Sequence, residues 1–256
     1  TFKARQLRET GPLLILTFDQ KGVVMRKDDL REATRKKAET QTRKLESRHC
    51  RGEPHGRKRM STVAAVYTVE RYHRSALDFI KGLRRIKDVA PKQRPHPESK
   101  RLWASLEESP PDVIRDAFEE ALKRHPHNKK RWVVLIDGDE KLETWVTQIA
   151  KECGVEVQIC LDVIHASEYL WKAGKAFHKE ETPELEAWVF ERLQKILEGG
   201  VSNVVAGMTR SATLRELTAD QREPVDACAN YYLKRTHLMQ YDELLRAGAP
   251  IATGVI

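Results

Sequence analysis

Two apolar runs of similar build punctuate the chain. Leu13-Leu14-Ile15-Leu16-Thr17-Phe18 ends on Asp19, and Trp132-Val133-Val134-Leu135-Ile136 ends on Asp137. Runs this short and unbroken fit strands buried on both faces of a sheet, and each releases one carboxylate at its C-terminal end. After the first run, Gln20-Lys21-Gly22 reads as a tight turn into Val23-Val24-Met25, a second short strand folded back as a hairpin. Residues 28–48 have a helical composition, but Leu30, Ala33, Ala38 and Leu45 are too sparse for a wide buried face. This segment reads as a solvent-exposed or nucleic-acid-facing helix, or as a partly disordered arm. Gly52-Glu53-Pro54-His55-Gly56 breaks it, and the β-branched stretch Thr62 to Val69 predicts a third strand. Leu77, Phe79, Ile80, Leu83 and Ile86 suggest a short amphipathic helix, after which Pro91, Pro95 and Pro97 impose an extended basic loop.

The second half alternates more clearly. Ser109 and Pro110 open a helix carrying Val113, Ile114, Phe118, Ala121 and Leu122 on one side, and His125-Pro126 closes it. The fourth strand, Arg131 to Ile136, delivers Asp137. Leu142, Trp145, Val146, Ile149 and Cys153 share a helical face, Gly154 stops that helix, and Val155 to Leu161 alternates as a fifth strand. Asp162 caps the next helix. Beyond Lys179 the pattern is helical only, with Leu185, Trp188, Val189, Leu193, Ile196 and Leu197 on one stripe and Gly199-Gly200 as a stop. The expected class is α/β: a mixed five-stranded sheet flanked by helices, in the element order of an RNase H-like fold. Residues 1–179 form that core, with a basic insertion at 28–60 and a basic loop at 81–101. Residues 180–249 form an all-helical insertion after the fifth strand, and residues 250–256 begin the segment that follows it.

Charge adds a direction. The net charge of +8 is concentrated in two places: residues 26–59 hold 13 Lys/Arg against 6 Asp/Glu, and residues 81–101 hold 8 against 2. Clustered cations suit a polyanion such as DNA or RNA, although a charge run also serves as a solvated helix face. No apolar run approaches the roughly 20 residues needed to span a bilayer, so no membrane partner is expected. The four cysteines, Cys50, Cys153, Cys160 and Cys228, have neither zinc-ligand spacing nor disulfide-scaffold density, which fits a reducing cytoplasm. The charged leader Thr1 to Thr10 lacks Met and any core pattern, and reads as the tail of something upstream.

The chemistry this pattern offers is two carboxylates at neighbouring strand ends. Mg²⁺ favours a few carboxylate oxygens together with water and phosphate oxygens, so Asp19 and Asp137, if they converge, suit metal-assisted phosphoryl transfer. Asp after a strand is equally an ordinary turn or helix-capping residue.

Several stretches carry a closer likeness: Thr62-Val63-Ala64-Ala65-Val66-Tyr67, Lys100-Arg101-Leu102-Trp103-Ala104-Ser105-Leu106, Leu161-Asp162-Val163-Ile164-His165, Glu168-Tyr169-Leu170-Trp171-Lys172-Ala173, Arg210-Ser211-Ala212-Thr213-Leu214-Arg215 and Pro250-Ile251-Ala252-Thr253-Gly254-Val255-Ile256. Through these the chain resembles, over nearly its whole length, bacterial insertion-sequence transposases of the ISKra type, relatives of the Mutator-like DDE transposases. The resemblance implies an Asp-Asp-Glu triad binding two Mg²⁺ or Mn²⁺ ions, with a helical insertion between the second Asp and the Glu. Asp19 matches the first carboxylate, although the family usually reads Asp-Gly-Lys-Gly where this chain has Asp19-Gln20-Lys21-Gly22. Asp137 matches the second, and Asp162 with His165 matches an Asp-x-x-His signature that lies between the second Asp and the Glu; i and i+3 at a helix start are neighbours, so the carboxylate and imidazole can jointly touch metal-bound water or a DNA phosphate, the alternative being an N-cap Asp with a His packed on the fifth strand. In the family the Ile-Ala-Thr-Gly-Val-Ile stretch runs straight into the catalytic Glu, and this sequence stops at Ile256, so the piece is expected to be inactive alone.

The same resemblance implies double-stranded DNA partners, both transposon ends and target, self-association in a transpososome, and a place in the bacterial nucleoid. The cations expected to face DNA are Lys21, Arg35, Lys36, Lys37, Arg57, Lys58, Arg59, Arg84, Arg85, Lys100 and Arg101. Two other classes stay open. One is a non-catalytic DNA-binding protein descended from a transposase. The other, weaker, is a haloacid-dehalogenase-type phosphatase built on Asp137-Gly138-Asp139, a motif that should open its domain's first strand rather than sit on the fourth.

Overall fold

The computed structural model describes residues 10–40, 45, 58–84, 94–124 and 129–253. Its centre is a single five-stranded sheet made of β1 (Leu13–Val24), β2 (Lys58–Val69), β3 (Glu98–Ser105), β4 (Arg131–Ile136) and β5 (Val157–Leu161). The spatial order is β3-β2-β1-β4-β5. The β1/β2 and β2/β3 pairs are antiparallel, and β1/β4 and β4/β5 are parallel. The unbroken apolar runs occupy the middle of this order, as burial on both faces requires: Leu13 to Leu16 and Val133 to Ile136 are fully buried.

Two expectations about strands need correction. The predicted hairpin at Gln20-Lys21-Gly22 does not form. β1 runs through those residues to Val24, held by β2 in a ladder that pairs Asp19 with Val63, Lys21 with Ser61 and Val24 with Lys58. A glycine within a strand can satisfy the ladder as well as a turn can, and here the partner strand decides. The second correction concerns residues 81–101, expected as a loop: Glu98–Ser105 is the edge strand β3. It lacks the apolar pattern of a core strand because it is exposed along most of its length.

Helices flank the sheet. α1 (Glu32–Glu39) is the only α-helix described in the segment expected to be helical over 28–48; most of residues 41–57 lie outside the described residues. α2 (Ala76–Leu83) starts in a capping box between Ser75 and Asp78. α3 (Pro110–Leu122) lies across β1 and β2 and packs on α4 (Glu140–Glu152). α5 (Val163–Gly174) follows β5 and is the hub of the remaining helices: α6 (Pro183–Leu197) and α8 (Ala219–Arg235) pack on it, and α7 (Val201–Leu214) packs on α8. α9 (Tyr241–Arg246) closes the series. One continuous core joins sheet and helices, from Leu13 through Trp188 to Ile251. No helix among the described residues is long and apolar enough to cross a membrane.

Candidate functional site

Asp137 follows the last residue of β4, but Asp19, expected at a strand end, lies inside β1, which the β2 ladder carries on to Val24; the two strands pair in parallel. The ladder matches Leu16 with Val134 and Thr17 with Leu135. Thr17 and Leu135 are the last pair of that ladder, and Asp137 lies just past the end of β4. Asp19 and Asp137 each lie two residues past that pair, at the same end of adjacent parallel strands. Both residues are half-buried. Each carboxylate also shapes its own backbone: Asp19 Oδ1 accepts the Gln20 N–H at 2.7 Å, and Asp137 Oδ1 accepts the Asp139 N–H at 3.0 Å.

Asp162 continues the row. Leu161 pairs with Ile136, and the Asp162 N–H donates to the Ile136 carbonyl at 2.7 Å, one position before Asp137. Its side chain is engaged differently. It is 1% exposed, and Oδ1 accepts the Ile164 N–H at 2.6 Å as the N-cap of α5. Oδ2 accepts both the N–H of Thr253, at 2.7 Å, and the Thr253 hydroxyl. The Val163 N–H donates to Ile251 O at 3.0 Å, so residues 251–253 are fastened to the start of α5 by two adjacent contacts. His165 is half-buried one turn into α5, and the hydrogen bonds recorded for the Asp162 carboxylate go to Ile164 and Thr253 rather than to it. Among the described residues, no group of three or more His, Cys, Asp or Glu side chains is placed to hold a metal ion. Two carboxylates completed by water and phosphate oxygens are a donor set that Mg²⁺ and Mn²⁺ accept.

The loop after β4 is held from a distance. Tyr231 Oη donates to Asp137 O at 2.8 Å, and Arg235 Nε donates to Gly138 O at 2.6 Å. Burial pushes the Tyr231 hydroxyl well above its ordinary pKa; Arg235 opposes this, while Tyr169, Asp137 and Asp162 add to it, so the group stays a donor. Asp139 caps α4, its Oδ1 accepting the N–H groups of Lys141 and Leu142 at 2.7 and 3.2 Å. The sequence reading did not single out Tyr231 or Arg235. Their spacing of i and i+4 on a helix was a visible signal, but only the fold aims that face at the Asp137 turn.

The cations expected to face DNA divide into groups. Lys21 lies on β1 two residues past Asp19, hence on the same face of the β1/β2 ribbon, and is exposed. Lys58 is exposed at the far end of that ribbon, on its other face. Arg59 is bound by both nitrogens to the Glu107 carboxylate, at 2.9 and 3.1 Å. On α1, Lys36 pairs with Glu32 at 2.8 Å, Arg35 donates to Leu30 O at 3.3 Å, and Lys37 is exposed. Arg84 is drawn to α6, 3.2 Å from Glu186 and 5.1 Å from the Phe190 ring. Lys100 and Arg101 sit on β3, where Ala104 rather than either of them is level with Val63 and Asp19; they lie three and four residues, about 10–13 Å, toward the other end of the sheet. Arg101 also pairs with Glu120 at 2.8 Å. Arg57 and Arg85 lie outside the described residues. The basic residues are thus dispersed; Lys21 and Arg59 share the face of Asp19, and the Arg59 guanidinium is held by Glu107.

A groove of about 840 Å³ runs along Val157 to Ile159 of β5 and takes in Glu143, His237 and Glu243, but it contains neither Asp19 nor Asp137. Comparison with known protein families, with curated proteins and with solved structures finds no match for this chain.

Proposed function

We propose that this chain is the RNase H-like catalytic core of a DDE transposase, which cleaves and joins DNA with the help of two Mg²⁺ or Mn²⁺ ions. The observation that supports the reading is the parallel pairing of β1 and β4, with Asp19 and Asp137 each two residues past the last pair of the ladder, at the same end of the two strands. The strand order, with three antiparallel strands leading into two parallel ones, supports it, as do the helices that follow β5 and would form the insertion. Bound there, a divalent ion would supply Lewis-acid activation of a phosphoryl group and its attacking oxygen. The residues of this chain would hold the ion, and Lys21 would meet the DNA backbone beside it. Thr253, fastened to Asp162, holds the described chain beside the end of β5.

A non-catalytic DNA-binding protein is the second reading, favoured by the engagement of Asp162 within the fold and by the dispersal of the cations. The phosphatase reading has less support, because the Asp139 carboxylate it would use as an acid caps α4. The test is Mn²⁺-dependent cleavage and strand transfer on the element's end sequences. It compares this chain, a chain extended past Ile256 to include the Glu, and the extended chain carrying Asp19→Asn or Asp137→Asn. Activity in the extended chain alone, lost in both variants, supports the transposase. Phosphatase activity lost only with Asp137→Asn supports the third reading. DNA binding without cleavage in every form supports the second.

A further inference from the structure

The turn that carries Asp137 is short and would be free to swing if only β4 and α4 held it. Two side chains from the end of α8 stop it, donating to the successive carbonyls of Asp137 and Gly138 at 2.8 and 2.6 Å. These donors are themselves braced. The Arg235 guanidinium lies 4.3 Å from the Tyr231 ring centroid and 3.6 Å from Glu140, and Tyr231 stacks on Tyr169 at 3.8 Å with the planes 10° apart. Lys172 caps the outer side of that stack, 5.1 Å from the Tyr169 centroid. Just beyond α8, His237 bonds Glu143 of α4 at 2.6 Å, so the same end of α8 is tied to both sides of the turn. Gly138, at φ +87°, makes the approach possible: a Cβ there would lie 2.7 Å from Tyr231 Oη and 2.9 Å from Arg235 Nε.

We propose that Tyr231 and Arg235 are positioning residues for Asp137, fixing the two peptide planes after β4 and with them the direction of its carboxylate. The proposal rests on the reading of Asp19 and Asp137 as a metal pair. A ligand must be held within about 0.5 Å of its working position, and an aspartate at the free end of a strand gets no such precision from its own strand. Pinning both carbonyls removes the rotations that would swing the carboxylate out of place. The arrangement also gives the helical region after β5 a role at the rim: α8 reaches Asp137 from 94 residues downstream.

The experiment is Mn²⁺ binding to the 256-residue chain, read by electron paramagnetic resonance of free Mn²⁺, together with amide exchange at Asp139. Variants are Tyr231→Phe, which keeps the stack and removes the donor, and Arg235→Gln. Ile196→Val, in the core of α6, controls for general loosening. Tyr231→Phe is expected to raise the Mn²⁺ Kd about ten-fold, the usual effect of removing a group that orients a ligand, and to speed Asp139 exchange, while Ile196→Val leaves both unchanged. Arg235→Gln discriminates further. If the arginine acted only through its charge, removing it would tighten cation binding; as a positioning residue its loss weakens it. A Tyr231→Phe Kd within two-fold of the parent, or tighter binding in Arg235→Gln, overturns the proposal. Absence of Mn²⁺ binding that depends on Asp137 in the parent chain overturns the metal reading itself, and this inference with it.

Discussion

Asp162 is engaged within the fold, and replacing it by alanine measures how far its carboxylate serves the structure. The carboxylate is 1% exposed and accepts three donors: the Ile164 N–H, the Thr253 N–H and the Thr253 hydroxyl. Loss of the N-cap costs about 1 kcal/mol. Each donor left buried without an acceptor costs about 1–3 kcal/mol, reduced where water or relaxation reaches it. Since Thr253 is only half-buried, its two donors recover part of their loss, and the sum comes to about 3–4 kcal/mol. A chain of this size shifts its Tm by roughly 2–4 °C per kcal/mol, so Asp162→Ala is expected to melt about 6–16 °C below the parent. Thr253→Val removes one donor and should cost about 1 kcal/mol. Asp19→Asn and Asp137→Asn, at half-buried rim positions, should stay within about 0.5 kcal/mol of the parent. Thermal melts followed by circular dichroism, with urea titration as a check on two-state behaviour, give the comparison. An Asp162→Ala Tm no lower than that of Asp19→Asn would refute the reasoning, and loss of Mn²⁺ binding with an unchanged Tm would make Asp162 a ligand instead.

Three further outcomes are expected. Gly138→Ala forces a side chain into φ +87° and against Tyr231, Arg235 and Leu161, and should cost about 1–3 kcal/mol in a urea titration while weakening Mn²⁺ binding. Lys21→Gln should lower the slope of log K against log[salt] for duplex DNA by about 0.9, whereas Arg59→Gln, whose guanidinium is already held by Glu107, should leave it nearly unchanged. Equal effects of the two would mean that the ribbon does not meet the backbone as placed. For Glu120, burial pushes the carboxyl pKa up, but hydrogen bonds and charge from Arg124 and then Arg101 outweigh it and hold the group below the usual value of 4.5. The folded pKa lies below the unfolded one, so the stability this group contributes is full above about pH 4.5 and is lost as pH falls through the folded value; Glu120→Gln should flatten the acid limb of Tm against pH.

The sequence by itself determined what depends on near neighbours. The short apolar runs before Asp19 and Asp137 fit buried strands, and the apolar stripes of α3, α4 and α6 are legible because a helix repeats its face every few residues. Asp162 as the cap of α5 was equally local. The elements that the sequence obscured are those whose stability comes from a partner strand. Gln20-Lys21-Gly22 has the composition of a turn and becomes strand because residues 58–63 hydrogen-bond along it. β3 shows little apolar pattern because an exposed edge strand gains its stability from backbone ladders, which any residue but proline can form. The site divides the same way. Each carboxylate was visible alone, but their place at the same end of adjacent strands is a property of parallel pairing. The grip of Tyr231 and Arg235 on the Asp137 turn, and of Thr253 on Asp162, joins positions 91–97 residues apart, and no local pattern records which side chains the fold will bring across that interval.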